Sequence, residues 1–299
     1  MGGMVVSSPT ARPASGLALI PALMGLVRFQ HTVFALPFAF AGALMANNAW
    51  PSLAVLGWIL VAMVGARSLA MALNRLVDRA LDARNPRTAG RHLPAGRLSV
   101  TQVRAFAIVS LMLMLVAVSQ LPVITWWLWP IPVALFVIYP YTKRVTWACH
   151  LVLGLCIGIA PIGGWIAVTG SFAWAPVLLG LTVAAWISGF DVIYALLDVD
   201  HDRAEGVHSV PVRFGATNAL RAAAGLHGAT VVLLVLAGIA AGVTWPYYVA
   251  VAICATILVW EHLHVRPGDA QRINAAFGTA NMVMSLVFLV GVVAEVGLA

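Results

Sequence analysis

Residues 52–82 read SLAVLGWILVAMVGARSLAMALNRLVDRALD. From Leu53 to Ala66 the stretch carries no charge, and a bilayer span needs about 20 mostly apolar residues. Further on, Asn74, Asp78 and Asp82 recur at i, i+4 and i+8, which stacks them on one helix face at successive turns. Arg67 lies seven residues before Asn74 on the same stripe. A carboxylate at the bilayer centre costs about 2.5–3.5 kcal/mol on insertion scales, so this stripe faces protein or water rather than lipid. The stretch predicts a membrane-spanning helix with a chemically active end.

The rest of the 299-residue chain agrees, with 62% hydrophobic and 9% charged residues, against roughly 45–50% and about 25% in a soluble domain. That excludes a soluble enzyme with a single anchor. Low charge, aperiodic glycine and only three cysteines exclude disorder, collagen and a disulfide scaffold. Cys149, Cys156 and Cys254 form no CxxC pair and read as small buried side chains. Apolar runs bounded by charge, Pro, Gly and Asn give nine helices, at 17–46, 52–82, 100–120, 124–141, 147–169, 174–202, 217–242, 245–264 and 272–297. The fold expected is all-α and polytopic, with a flexible tail at 1–16 before one transmembrane domain over 17–299. Ser99 with Gln102 has capping-box spacing, and Thr217 is the corresponding cap after the sixth helix. The similar punctuation HLPAGR and HSVPVR suggests two related halves, 17–145 and 146–265, with the last helix 272–297 appended.

The net charge of +7 comes from 16 Arg and Lys143. Connections 47–51, 121–123, 170–173 and 243–244 hold no charged residue, whereas Arg84, Arg87, Arg91, Arg97, Lys143, Arg144, Arg203, Arg213 and Arg266 lie in the alternating ones. By the positive-inside rule the arginine-rich loops and the N-terminus are cytoplasmic and the C-terminus is outside. Basic residues so placed mark orientation in a lipid bilayer, with no nucleic acid implied. Trp50, Trp126, Trp127, Trp174 and Trp245 fall at the expected outer helix ends, where an indole keeps its body in lipid and its N–H in water. The pairs Gly154/Gly158 and Gly238/Gly242 have GxxxG spacing for close helix packing.

Seven of the ten acidic residues sit in two windows: Asp78 and Asp82, then Asp191, Asp198, Asp200, Asp202 and Glu205. In a continuous sixth helix Asp191, Tyr194, Asp198 and Asp202 share a face, seven residues being two turns, and Asp200 points away. Neighbouring carboxylates repel, so the clusters need counter-charge. Hard oxygen ligands suit Mg²⁺, which takes one or two carboxylates and completes its shell with water and phosphate oxygens. The surrounding Arg and Lys suit the same oxyanion. Asp200, Glu205 and Arg79 read as ordinary loop ion pairs. Arg28 and His31 share a face of the first helix; lining a cavity and forming a satisfied interior pair are comparable readings. His150, His201, His227, His262 and His264 show no metal-ligand spacing, and no HExxH, P-loop or GxSxG occurs.

NRLVDRALDARNPRTAGRHLPAGRLS from Asn74 and GFDVIYALLDVDHDRAEGVHSVPVRFG from Gly189 resemble the two aspartate-rich signatures of UbiA-type intramembrane prenyltransferases. The resemblance extends through VRFQHTVFALPFAF and YTKRVTWACHLVLGLCIGIAPIGGWIAVTG. It implies nine helices around a central cavity with cytoplasmic cap loops, and Mg²⁺-dependent transfer of a prenyl group to an acceptor, usually aromatic. Carried over by position, it implies that Asp78, Asp82, Asp198 and Asp202 hold metal. Asn74 joins the first metal–diphosphate site, and Arg67, Lys143 and Arg144 hold diphosphate. His208 stands where many relatives have a lysine in a GxKS segment.

The donor expected is a polyprenyl diphosphate and the acceptor a hydroxylated aromatic acid. Asp191 would orient the acceptor or take its released proton, beside Tyr194, with Arg28 and His31 as further acceptor contacts. NPRTAGRHLPAG and GVHSVPVRFG resemble the menaquinone branch more than the 4-hydroxybenzoate polyprenyltransferases of ubiquinone synthesis. Two other classes compete. A transporter of divalent cations or phosphorylated lipid also needs intramembrane acids, but near the midplane rather than at helix ends. A CDP-alcohol phosphotransferase also uses a DxxxD signature, whose Asp-Gly start is absent here.

Overall fold

The computed structural model describes residues 13–27 and 35–298, and every regular element among them is helical. The helices are α1 (Leu19–Val27), α2 (Leu36–Met45), α3 (Leu53–Arg84), α4 (Val100–Ser119), α5 (Val123–Leu128), α6 (Pro130–Thr142), α7 (Cys149–Thr169), α8 (Trp174–Ala195), α9 (Val199–Ala204), α10 (Val210–Ala241), α11 (Trp245–His264), α12 (Ala270–Ala275) and α13 (Asn281–Leu298). Among the described residues eight spans are long and apolar enough to cross a membrane: α3, α4, α5 with α6, α7, α8, α10, α11, and α12 through α13. The ninth expected helix, 17–46, is described as the shorter α1 and α2, with 28–34 between them outside the described residues.

Local chemistry sets most boundaries. The Ser52 hydroxyl accepts from the Val55 N–H to open α3. Asn85 closes it in an extended conformation (ψ 118°), as a residue before proline should. Ser99 and Gln102 form the expected capping box on α4. Pro130 lacks an N–H and divides α5 from α6. Two expectations are corrected. α10 begins at Val210, capped by Ser209 rather than Thr217, and bends at Gly215, whose φ of +77° is readily open only to glycine. The sixth expected helix stops at Ala195, and a turn at Leu196–Asp198 separates α8 from α9. Within the expected loose tail, the Ala14 N–H donates to the Arg97 carbonyl (2.9 Å), and its own carbonyl accepts from Gln102 (2.7 Å).

In lipid, helices associate by close packing and hydrogen bonds rather than by escape from water. α7 and α8 meet backbone to backbone: a Cβ on Gly154 would stand 2.2 Å from the Ala184 carbonyl oxygen, and one on Gly158 2.4 Å from that of Gly180. Gly238 instead makes room for the Tyr247 ring, and Gly242 caps α10 at φ +68°. One core joins α2, α8, α10, α11 and α13 around Phe38, Trp186, Tyr247 and Phe288. There Phe38 stacks on Phe288 at 4.9 Å, and Trp186 donates to Asn281 at 2.7 Å. A second core joins α1, α3, α4, α6 and α7. The five tryptophans named from the sequence are all exposed.

Candidate active site

Residues of α3, α6, α7, α8 and α9, with the segments after α3 and α9, line a polar cavity of about 330 Å³. Arg67, Asn74, Asp78, Asp82, Lys143, Asp191, Tyr194, Asp198 and Asp202 all line it, and Arg144 reaches in to bond Asp78. The shared-face argument for a continuous sixth helix fails at the break, yet its acids still converge, because the turn after Ala195 brings Asp198 and Asp202 to the same cavity. His208 does not join them: it is exposed, and its backbone N–H donates to the Lys143 carbonyl at 2.7 Å. Asp200 is exposed and off the cavity, and Glu205 pairs with Arg84 at 2.7 Å. Arg28 and His31 lie outside the described residues.

Each acid cluster is held by cations from elsewhere in the chain. Asp78, 2% exposed, accepts from Asn74 (2.9 Å), Lys143 (2.6 Å) and Arg144 (3.3 Å). Asp82 accepts from Arg91 at 2.6 Å. Asp198 accepts from Asn85 (2.9 Å) and from Arg87 Nε (2.8 Å), with Arg87 Nη2 on its second oxygen. Arg87 also donates to the Tyr194 hydroxyl at 2.9 Å. Asn85, Arg87 and Arg91 were not expected as site residues. Their signal is NPRTAGR directly after the acid stripe, where a turn throws two arginines back across it.

Burial pushes the Asp198 carboxyl up, but hydrogen bonds from Arg87 and Asn85 outweigh it and hold the group below the ordinary range. Asp202, raised by burial and then by the neighbouring Asp198 charge, is pushed up to about 6. One Asp82 oxygen is buried with no hydrogen-bond partner among the described residues, its Arg75 neighbour standing 3.7 Å away. The donors are carboxylate and amide oxygens, the set for a hard divalent cation rather than zinc. Among the described residues no three His, Cys, Asp or Glu side chains are drawn up to metal-binding spacing. The residues present fit a cation arriving with a phosphate-bearing ligand, which would take over the Lys and Arg partners.

A second cavity of about 360 Å³ adjoins the first and is lined by apolar side chains including Ile59, Met63, Met114, Trp129, Phe136 and Ile162. Arg67 and Ile157 line both cavities, and the buried Arg67 Nε has no hydrogen-bond partner among the described residues. A charged chamber opening into a greasy one is suited to an amphipathic molecule with an anionic head.

Among known proteins, the UbiA prenyltransferase family matches residues 35–289. The chain belongs to this family. The UbiA chain is 31% identical over 263 residues to the 4-hydroxybenzoate octaprenyltransferase of Tolumonas auensis, covering 88% of this chain and 89% of that protein. The apo structure of a UbiA homolog from Aeropyrum pernix K1 superposes with a TM-score of 0.81 at 30% identity, over 89% of this chain and 98% of that one. A UbiA homolog from Archaeoglobus fulgidus, solved with GPP and Mg²⁺ bound, shares the fold at a TM-score of 0.67 and 17% identity, over 92% and 99% of the two chains. The protein is thus a multi-pass membrane prenyltransferase, and the transporter and phosphotransferase readings fall away.

Proposed function

We propose that this UbiA member transfers a polyprenyl group from a polyprenyl diphosphate to a hydroxylated aromatic acid, with Mg²⁺ as cofactor. We place the acidic chamber at the cytoplasmic side of the cell membrane, since the arginine-rich loops enclose it. The observation that carries the reading is the junction of the two chambers at Arg67. The polar chamber suits a diphosphate and the apolar one an isoprenoid tail.

Asp78, Asp82, Asp198 and Asp202 would hold the metal, which when bound supplies neutralisation of the leaving diphosphate. Lys143, Arg144, Arg87 and Arg91 would exchange their carboxylate partners for diphosphate oxygens. Arg67, about two turns deeper than Asn74, would grip the anion nearest the tail. The allylic carbon–oxygen bond breaks, and diphosphate leaves with the electron pair. The apolar chamber keeps water from the allylic cation. A carbon–carbon bond then forms to the aromatic ring, and the ring proton passes to the Asp191 carboxylate, with Tyr194 beside it.

Two acceptors fit. The relative's name favours 4-hydroxybenzoate, and the segments NPRTAGRHLPAG and GVHSVPVRFG favour a dihydroxynaphthoate of menaquinone synthesis. Purified protein given one polyprenyl diphosphate and both 4-hydroxybenzoate and 1,4-dihydroxy-6-naphthoate should prenylate one of them preferentially, and that product assigns the acceptor. EDTA should abolish both products. Turnover in EDTA refutes the metal dependence, and no product from either acid refutes the acceptor class.

A further inference from the structure

The sequence offers His150 no motif, yet its imidazole sits directly behind the cavity. Nδ1 lies 2.6 Å from an Asp191 carboxylate oxygen, and the Val210 backbone N–H donates to Nε2 at 3.3 Å. His150 is 4% exposed, whereas the Asp191 side chain is 26% exposed and lines the cavity. Substrate therefore meets Asp191 and not His150.

The two contacts fix the proton. Nε2 is the nitrogen that the Val210 N–H meets, so Nδ1 carries the hydrogen that points at Asp191. One carboxylate oxygen is thereby tied back, and among the described residues no hydrogen bond engages the other. The ring's own backbone is anchored too, as Ser188 Oγ donates to the His150 carbonyl at 3.1 Å. Val210 is the first residue of α10, directly after the segment that carries His208 and the Ser209 cap. His150 thus joins α7, α8 and the start of α10 through one ring.

We propose that His150 is a positioning residue: it holds the Asp191 carboxylate in the orientation that receives the acceptor and ties that orientation to the segment between α9 and α10. The proposal rests on the prenyl-transfer reading only for what Asp191 does, not for how His150 holds it. A residue that orients a functional group typically contributes about 10–100-fold. His150→Ala should lower kcat by about that factor while leaving KM for the polyprenyl diphosphate within about twofold. His150→Gln, whose amide can donate to Asp191 and accept from Val210, should restore most of the rate. In a double variant with Asp191→Asn, His150→Ala should add little further loss, because the two act as a unit.

The separate readout is the nitrogen NMR spectrum of ¹⁵N-histidine-labelled protein in nanodiscs without substrate, with His150 assigned by its loss in His150→Gln. A ring hydrogen on Nδ1 at pH 7 is expected. An Nε2–H tautomer with no hydrogen on Nδ1 overturns the proposal, as does unchanged kcat in His150→Ala, or a glutamine variant as impaired as the alanine one. The spectrum needs no turnover and no variant at Asp191. A wild-type protein inactive on every aromatic acid would sink the acceptor reading while the tautomer still decides the role of His150.

Discussion

Replacing Asp78 by Asn keeps the size of the side chain and removes its charge. In the resting protein that charge is nearly buried, at 3% side-chain exposure, and faces Lys143 and Arg144, which are 30% and 34% exposed. Removing one partner of a fully buried pair is destabilising by about 3–5 kcal/mol, whereas an exposed pair is worth about 0–1. Lys143 and Arg144 are each about one-third exposed and can turn toward water, so the expected loss is about 1–2 kcal/mol. That corresponds to a fall of a few degrees in the unfolding midpoint. Catalysis should suffer far more, because on the proposed reading the variant loses a carboxylate that would hold the metal and the anchor of Lys143 and Arg144. We expect at least about a 10³-fold drop in turnover, roughly 4 kcal/mol in barrier. The assay is diphosphate release with prenyl donor, aromatic acid and Mg²⁺, run beside thermal unfolding in detergent. Asp200→Asn, exposed and off the cavity, should stay within about twofold of wild type, well below one tenfold step of 1.36 kcal/mol. More than a tenth of wild-type activity in Asp78→Asn, or an equal fall in Asp200→Asn, would refute the reasoning.

Further outcomes follow from other parts of the molecule. After removal of the native cysteines, a single cysteine at Asn48 should react with an impermeant thiol reagent on intact cells and one at Gly90 should not; the reverse pattern would invert the topology. Gly163 lines the apolar chamber with open space where a Cβ would go, so Gly163→Leu should shift preference toward shorter prenyl diphosphates, and an unchanged chain-length profile would place the tail elsewhere. Glu261 is 1% exposed, with neither oxygen hydrogen-bonded among the described residues. Glu261→Met, of similar volume, should therefore raise the unfolding midpoint by removing buried polar atoms that lack partners, worth about 1–3 kcal/mol. A fall instead would show that the acid is charged and paired with His227, 3.8 Å away.

Hydrophobic runs and charge-free connections located the spans well: α11 occupies the expected 245–264, and the capping box at Ser99 formed as read. The stripe of Asn74, Asp78 and Asp82 was legible because helix period alone places it. The break after Ala195 was not, since YALLDVDHD contains no glycine or proline to announce it. There the second acid cluster is gripped by Arg87, more than a hundred positions earlier in the chain, and local pattern cannot see so distant a contact. Ser209 has the same capping chemistry as Thr217, but the sequence does not show that one helix continues through the bend at Gly215. His150 has no motif around it in the sequence. Its partners, an acid on α8 and a backbone N–H on α10, meet it only in the folded chain.

The glycine contacts between α7 and α8 make the two sides of the polar chamber mechanically unequal. The side bearing His150 and Asp191 is held where main chain approaches main chain at Gly154 and Gly158. The side bearing Asp198 and Asp202 is fastened by charge, through Arg87 to Asp198 and Arg84 to Glu205, and fastenings of that kind weaken as ionic strength rises. Raising the ionic strength should therefore loosen the grip of the segment after α3 on Asp198 and α9 before it disturbs the wall that α7 and α8 form.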